Sequence, residues 1–86
     1  MFNEHQLSSL ERWLREWLID GGLSEDDVSG LTVSVEENYY YYGKSEPYEY
    51  SAHYTYESRG NKLRSGLVFF NAHVLSNGLE DVAFAA

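Results

Sequence analysis

Three histidines, fourteen carboxylates and eight tyrosines are the side chains in this sequence whose spacing is worth testing for chemistry; cysteine is absent. Disulfides, thiol catalysis and thiolate zinc sites are therefore excluded. A hydrolytic triad or an acid–base pair needs its members gathered in a concave site. His5 falls in the first turn of a helix and His73 near the end of an apolar strand, which leaves His53. Aligning the two central strands sets His53 across from Glu36, with only Ser34, Ser51 and Thr55 as neighbouring hydroxyls. A surface cross-strand ion pair accounts for that arrangement. Glu25-Asp26-Asp27 lacks the spacing of a calcium loop, no His–carboxylate cluster has metal-ligand spacing, and no glycine-rich phosphate loop is present. The expectation is a non-enzymatic chain with no catalytic residues, no metal and no cofactor.

The tyrosines are the stronger signal. All eight lie between Glu36 and Tyr56. Tyr48, Tyr50, Tyr54 and Tyr56 recur at period two, with Ala52 among them and polar residues between, the pattern of a strand with one buried and one wet face. Leu31, Val33 and Val35 alternate ahead of them, and Gly43-Lys44-Ser45-Glu46-Pro47 reads as the connecting turn. Setting Tyr42 opposite Pro47 pairs Tyr41 with Tyr48, Tyr39 with Tyr50, Val35 with Tyr54 and Val33 with Tyr56. Glu36 then meets His53, and Glu37 falls on the apolar face opposite Ala52. A carboxylate there must find a donor, reach the end of the sheet, or swing into water at a local bulge, and the bulge is the favoured reading.

Around this hairpin the remaining elements follow in order. Asn3 and Gln6 form a capping-box signature, and Leu7, Leu10, Leu14, Trp17 and Leu18 share one helical face, with Trp13 at its edge. Both tryptophans read as core. Gly21-Gly22 ends the helix, and Ser24 with Asp27 repeats the capping signature ahead of a short turn. Arg59-Gly60-Asn61-Lys62 reads as a tight two-residue turn. That turn pairs Glu57 with Arg64, Tyr54 with Leu67, Ala52 with Phe69 and Tyr50 with Asn71, so Leu67 and Phe69 point inward while Val68 and Phe70 point out. After the turn signal Asn77-Gly78, residues 79–86 fit a fourth strand with Val82 and Phe84 inward, or a short C-terminal helix capped by Asn77; the strand is preferred. The predicted fold is a single α+β domain over 1–86: a helix at about 4–20, a turn at about 25–29, and an antiparallel meander of three to four strands at about 31–42, 48–58, 63–75 and 79–85.

Charge limits the partners. Residues 1–57 hold twelve acids and three bases, whereas residues 58–86 hold two acids and three bases, for a net charge of −8. Such a chain repels phosphate backbones, so direct nucleic-acid binding is not expected, and the same field attracts basic proteins. Acidity that merely keeps a small protein soluble is the competing account. The start of the sequence shows no basic, apolar leader and no segment of membrane-spanning length, so a cytoplasmic location is expected. Four consecutive tyrosines in a strand must face both ways. Tyr40 and Tyr42, with Glu36, Glu46, Glu49 and Glu57, are therefore assigned to an acidic-aromatic outer surface that binds a partner. Val68 and Phe70 extend it as a candidate self-association patch.

In this profile (small, acidic, cysteine-free, single-domain) the chain resembles phage- or mobile-element-encoded inhibitors of the anti-CRISPR and anti-restriction type. The resemblance is one of composition over the whole chain. It implies a non-enzymatic inhibitor in the host bacterial cytoplasm that occludes or mimics nucleic acid on a basic, nucleic-acid-handling protein. An immunity protein for a basic toxin and a small homodimeric structural subunit are the alternatives.

Overall fold

A computed structural model describes residues 2–37, 48–58 and 62–85. Helix α1 (Glu4–Asp20) is followed by strands β1 (Thr32–Glu37), β2 (Tyr50–Ser58), β3 (Lys62–Leu75) and β4 (Gly78–Phe84). The strands form one antiparallel sheet in the order β1-β2-β3-β4, and α1 packs across one of its faces. This is the α+β meander expected, and the preferred fourth strand forms over Gly78–Phe84. The part of the expected first strand beyond Glu37 lies outside the described residues.

The local signals behave as their chemistry requires. Asn3 Oδ1 accepts from the Gln6 N–H at 2.9 Å, and Gln6 Oε1 accepts from the Asn3 N–H at 2.8 Å. At the other end Gly22 takes φ +115°, a conformation open to glycine. Its N–H reaches the Ile19 carbonyl while the Leu23 N–H reaches that of Leu18, which is a Schellman closure. Ser24 and Asp27 make their reciprocal bonds too, ahead of hydrogen-bonded turns over 25–30. Leu10, Leu14 and Leu18 are buried beneath α1, each stabilising the fold by roughly 2 kcal/mol. Trp17 joins them against Phe84 at 5.2 Å between ring centres. Trp13 does not; it is an exposed residue on the flank of the helix, a correction to its reading as core. Arg15 Nε donates to the Val28 carbonyl at 3.4 Å.

Two registers differ from expectation, with unequal consequences. In β1–β2, Val33 lies opposite Tyr54, Val35 opposite Ala52, Glu36 opposite Ser51 and Glu37 opposite Tyr50. The offset from the expected pairing is two residues. Alternation fixes which face a side chain takes but not the absolute offset, so every paired side chain of β1 and β2 keeps its face. Only the cross-strand partners change.

In β2–β3 the offset is one residue. Ser58 pairs with Lys62, Tyr54 with Gly66, Ala52 with Val68 and Tyr50 with Phe70. Three residues, not two, separate the paired ends of this hairpin, and one extra residue turns the whole strand over. Val68 and Phe70 are consequently core residues, 5% and 0% exposed, whereas Leu67 is 50% exposed. The assignment of Val68 and Phe70 to an outward self-association patch is thus overturned. Because β3 is apolar on both faces in its middle, side-chain pattern alone could not choose between the two.

A third irregularity lies in β4. Between Asn71↔Ala83 and His73↔Glu80 the register shifts, so that Asp81 and Val82 stand against Ala72 alone. Asp81 adopts φ 52°, the left-handed conformation that opens such a bulge. The extra residue resets the alternation. Leu79 before it and Val82 and Phe84 after it all pack toward the helix side.

Candidate interaction surface

The helix covers one face of the sheet and leaves the other to be read residue by residue. Strand alternation places Glu36 of β1, Glu57 of β2 and Glu80 of β4 on the face away from α1, and all three are exposed. Thr32, Ser34, His53, Thr55, Ser65 and Leu67 share that face and line a shallow groove of about 500 Å³ across three strands. The Thr32 and Thr55 hydroxyls are hydrogen-bonded to each other within it. The two cationic side chains of β3, Lys62 and Arg64, alternate to the helix side. Among the described residues, the outer face therefore carries glutamates and no lysine or arginine.

The residues singled out from sequence separate into three groups. Glu36, Glu49 and Glu57 are exposed, and Glu49, just ahead of β2, donates its N–H to Asn71 Oδ1 at 2.8 Å. Tyr40, Tyr42 and Glu46 lie outside the described residues. Val68 and Phe70 belong to the core. His53 stands opposite Ser34 on one side and Leu67 on the other, so the expected His53–Glu36 pairing is not formed. Glu37 needs no bulge. It pairs with Tyr50 in unbroken register and is exposed to water there.

The tyrosines on the helix side are structural. Tyr50 stacks on Phe70 at 5.3 Å, and Phe2 closes over it at 5.2 Å. Burial pushes the Tyr50 phenol above its usual pKa, and the neighbouring charges of Glu49 and then Glu37 add to this. Burial, then the adjacent Tyr56, raises Tyr54 likewise. The Tyr54 ring occupies the space over Gly66, where a Cβ would sit 2.4 Å from its Cζ and hydroxyl. Sequence reasoning missed this pairing; an isolated glycine opposite an aromatic in a strand is the signal that marks it.

Among the described residues, no helix is long and apolar enough to cross a membrane. The chain matches no protein-family model, no curated protein and no solved structure, so its function is argued from this surface.

Proposed function

We propose that this protein is a non-enzymatic binding protein that presents the acidic outer face of its sheet to a basic, nucleic-acid-handling protein and occludes that protein's nucleic-acid site. The observation that supports this most directly is the segregation of charge: Glu36, Glu57 and Glu80 exposed on the face away from the helix, with Lys62 and Arg64 turned to the other. Carboxylates spaced along a sheet offer a basic target the sign of charge that a phosphate backbone offers it. Tyr40 and Tyr42, assigned to this surface from the sequence pattern alone, would add aromatic anchors to it. An inhibitor of the anti-CRISPR or anti-restriction type is the corresponding biological role.

The test is capture of targets on the immobilised protein from nuclease-treated bacterial lysate, followed by competition with duplex DNA on each purified target. Recovery of a basic nucleic-acid-binding protein that DNA displaces, and that elutes as salt rises, supports the reading. Reversal of Glu36 and Glu57 to Lys should then slow association most at low ionic strength. Targets whose binding is insensitive to both DNA and salt would refute it.

A further inference from the structure

The sheet has an incomplete edge. Strand β4 pairs with β3 only from Phe70 to Leu75, and beyond it the Ala85 N–H reaches the Phe69 carbonyl at 2.8 Å. Upstream of that point Lys62–Val68 is paired with β2 on one side and with no other described residue on the other. The Phe69 carbonyl points toward the β4 side, and the N–H and C=O of a strand residue point together and alternate along the chain. Leu63, Ser65 and Leu67 therefore present their N–H and C=O groups to the open edge. Their side chains stand on the outer face, with Leu63 74% and Leu67 50% exposed. An edge of this kind is a template for another strand.

We infer that the occupant of this edge is a second copy of the same chain, paired antiparallel about Ser65. Four features of the edge argue for it. The open stretch Lys62–Val68 is centred on Ser65, so two copies laid antiparallel fill one another's open positions and stop short of Ala85. In that register Leu63 of each copy faces Leu67 of the other, which covers both exposed leucines on the outer face. Three cross-strand pairs (Leu63 with Leu67, Ser65 with Ser65, Leu67 with Leu63) form with two backbone hydrogen bonds apiece. No two cations are directly opposed, because Arg64 falls opposite Gly66 and Lys62 opposite Val68.

Charge on the helix side completes the match. The Tyr54 ring lies over Gly66 and also lines a groove with Asp20, Gly21 and Leu23 at the C-terminal end of α1. That end of the helix carries an acid and has no base in its last turn, so its carbonyl end lacks the cation that helix termini of this polarity favour. Arg64 of the second copy, laid opposite Gly66, brings a guanidinium to the Tyr54 ring and toward that end. The product is one continuous eight-stranded sheet with an isologous two-fold interface.

Sedimentation equilibrium on the intact chain should give twice the 9.9 kDa chain mass. Ser65→Pro removes an N–H that faces away from β2, so it should leave the circular dichroism spectrum unchanged while yielding a monomer whose urea midpoint no longer rises with protein concentration as the dimer's does. Leu63→Lys, at a 74% exposed position, serves the same purpose should the proline variant fail to fold. Because the chain has no cysteine, Ser65→Cys provides a probe of register. Oxidation should cross-link that variant across the two-fold, and should not cross-link Thr55→Cys, which lies on the same face one strand inward. A monomeric wild-type chain at millimolar concentration overturns the inference. So does a dimer that survives both edge substitutions, or one in which Ser65→Cys fails to cross-link.

Discussion

Gly66 is where a single missing atom organises its surroundings. A methyl group there would sit within 2.4 Å of Tyr54, a ring that is stacked on Tyr56 at 6.3 Å and packed against the core. Gly66→Ala should therefore lower stability by about 1–3 kcal/mol through displacement of that ring. In a Tyr54→Ala background the same change should cost nothing or add about 0.5–1 kcal/mol, since alanine is favoured over glycine in a strand interior. Urea denaturation of the four chains of this cycle measures the coupling, and additive effects would refute the contact. The two raised tyrosines make a separate prediction. A phenol whose folded pKa lies above its unfolded value of 10.0 stabilises the fold fully below that value, and the contribution is lost as pH rises through the folded pKa. The urea midpoint should thus hold steady up to about pH 10 and fall above it. Tyr50→Phe keeps the ring contacts with Phe70 and Phe2 and should make that alkaline fall shallower.

Between elements, the helix does more than cover the sheet; it also closes the edge of β4. Buried Ser9 donates from Oγ to the Leu79 carbonyl and accepts from the Leu79 N–H, at 3.3 and 3.1 Å. Gln6 Nε2 donates to the Leu75 carbonyl at 2.7 Å. Ser9→Ala would leave both backbone groups of Leu79 buried without a partner, and a loss of about 1–3 kcal/mol is expected; no change in the urea midpoint would place water at that edge. The bulge at Asp81 acts on the same strand. Since φ 52° is strained for a branched side chain and free for glycine, Asp81→Val should cost about 1–2 kcal/mol where Asp81→Gly costs nothing. What could be read from sequence follows the range of each signal. Asn3 with Gln6, Ser24 with Asp27, and the leucines of α1 act within a few residues, and each forms as its spacing implies. The facing of Val68 and Phe70 depended on whether two or three residues close a hairpin, and a strand apolar on both sides offers no correction to that count. The acidic surface was legible in Glu36, Glu49 and Glu57 because a two-residue offset preserves their exposure. Ser9 and Asp81 were not, since the first answers to a strand seventy residues away and the second to an alternation that only the paired strand reveals.

At the scale of the molecule, a net charge of −8 distributed with glutamates on one sheet face sets a cost that salt can relieve. Glu36, Glu57 and Glu80 stand on a face where, among the described residues, no lysine or arginine neutralises them. The described bases of the sheet, Lys62 and Arg64, point to its other face. In the unfolded chain these charges separate; folding gathers them onto one surface, where their repulsion opposes the compact state. Screening shortens the reach of that repulsion from about 30 Å at 0.01 M salt to about 10 Å at 0.1 M. The urea midpoint should therefore rise as sodium chloride is added across this range, the reverse of the response of a fold held together by surface ion pairs. Neutralising the face in the triple variant Glu36→Gln, Glu57→Gln and Glu80→Gln should raise stability at low salt and flatten the salt dependence. The same variant should also bind a basic target more weakly. A chain whose stability is insensitive to salt, with the triple variant indistinguishable from it, would mean that the acidic face carries no electrostatic stress, and the segregation of charge would then need another cause.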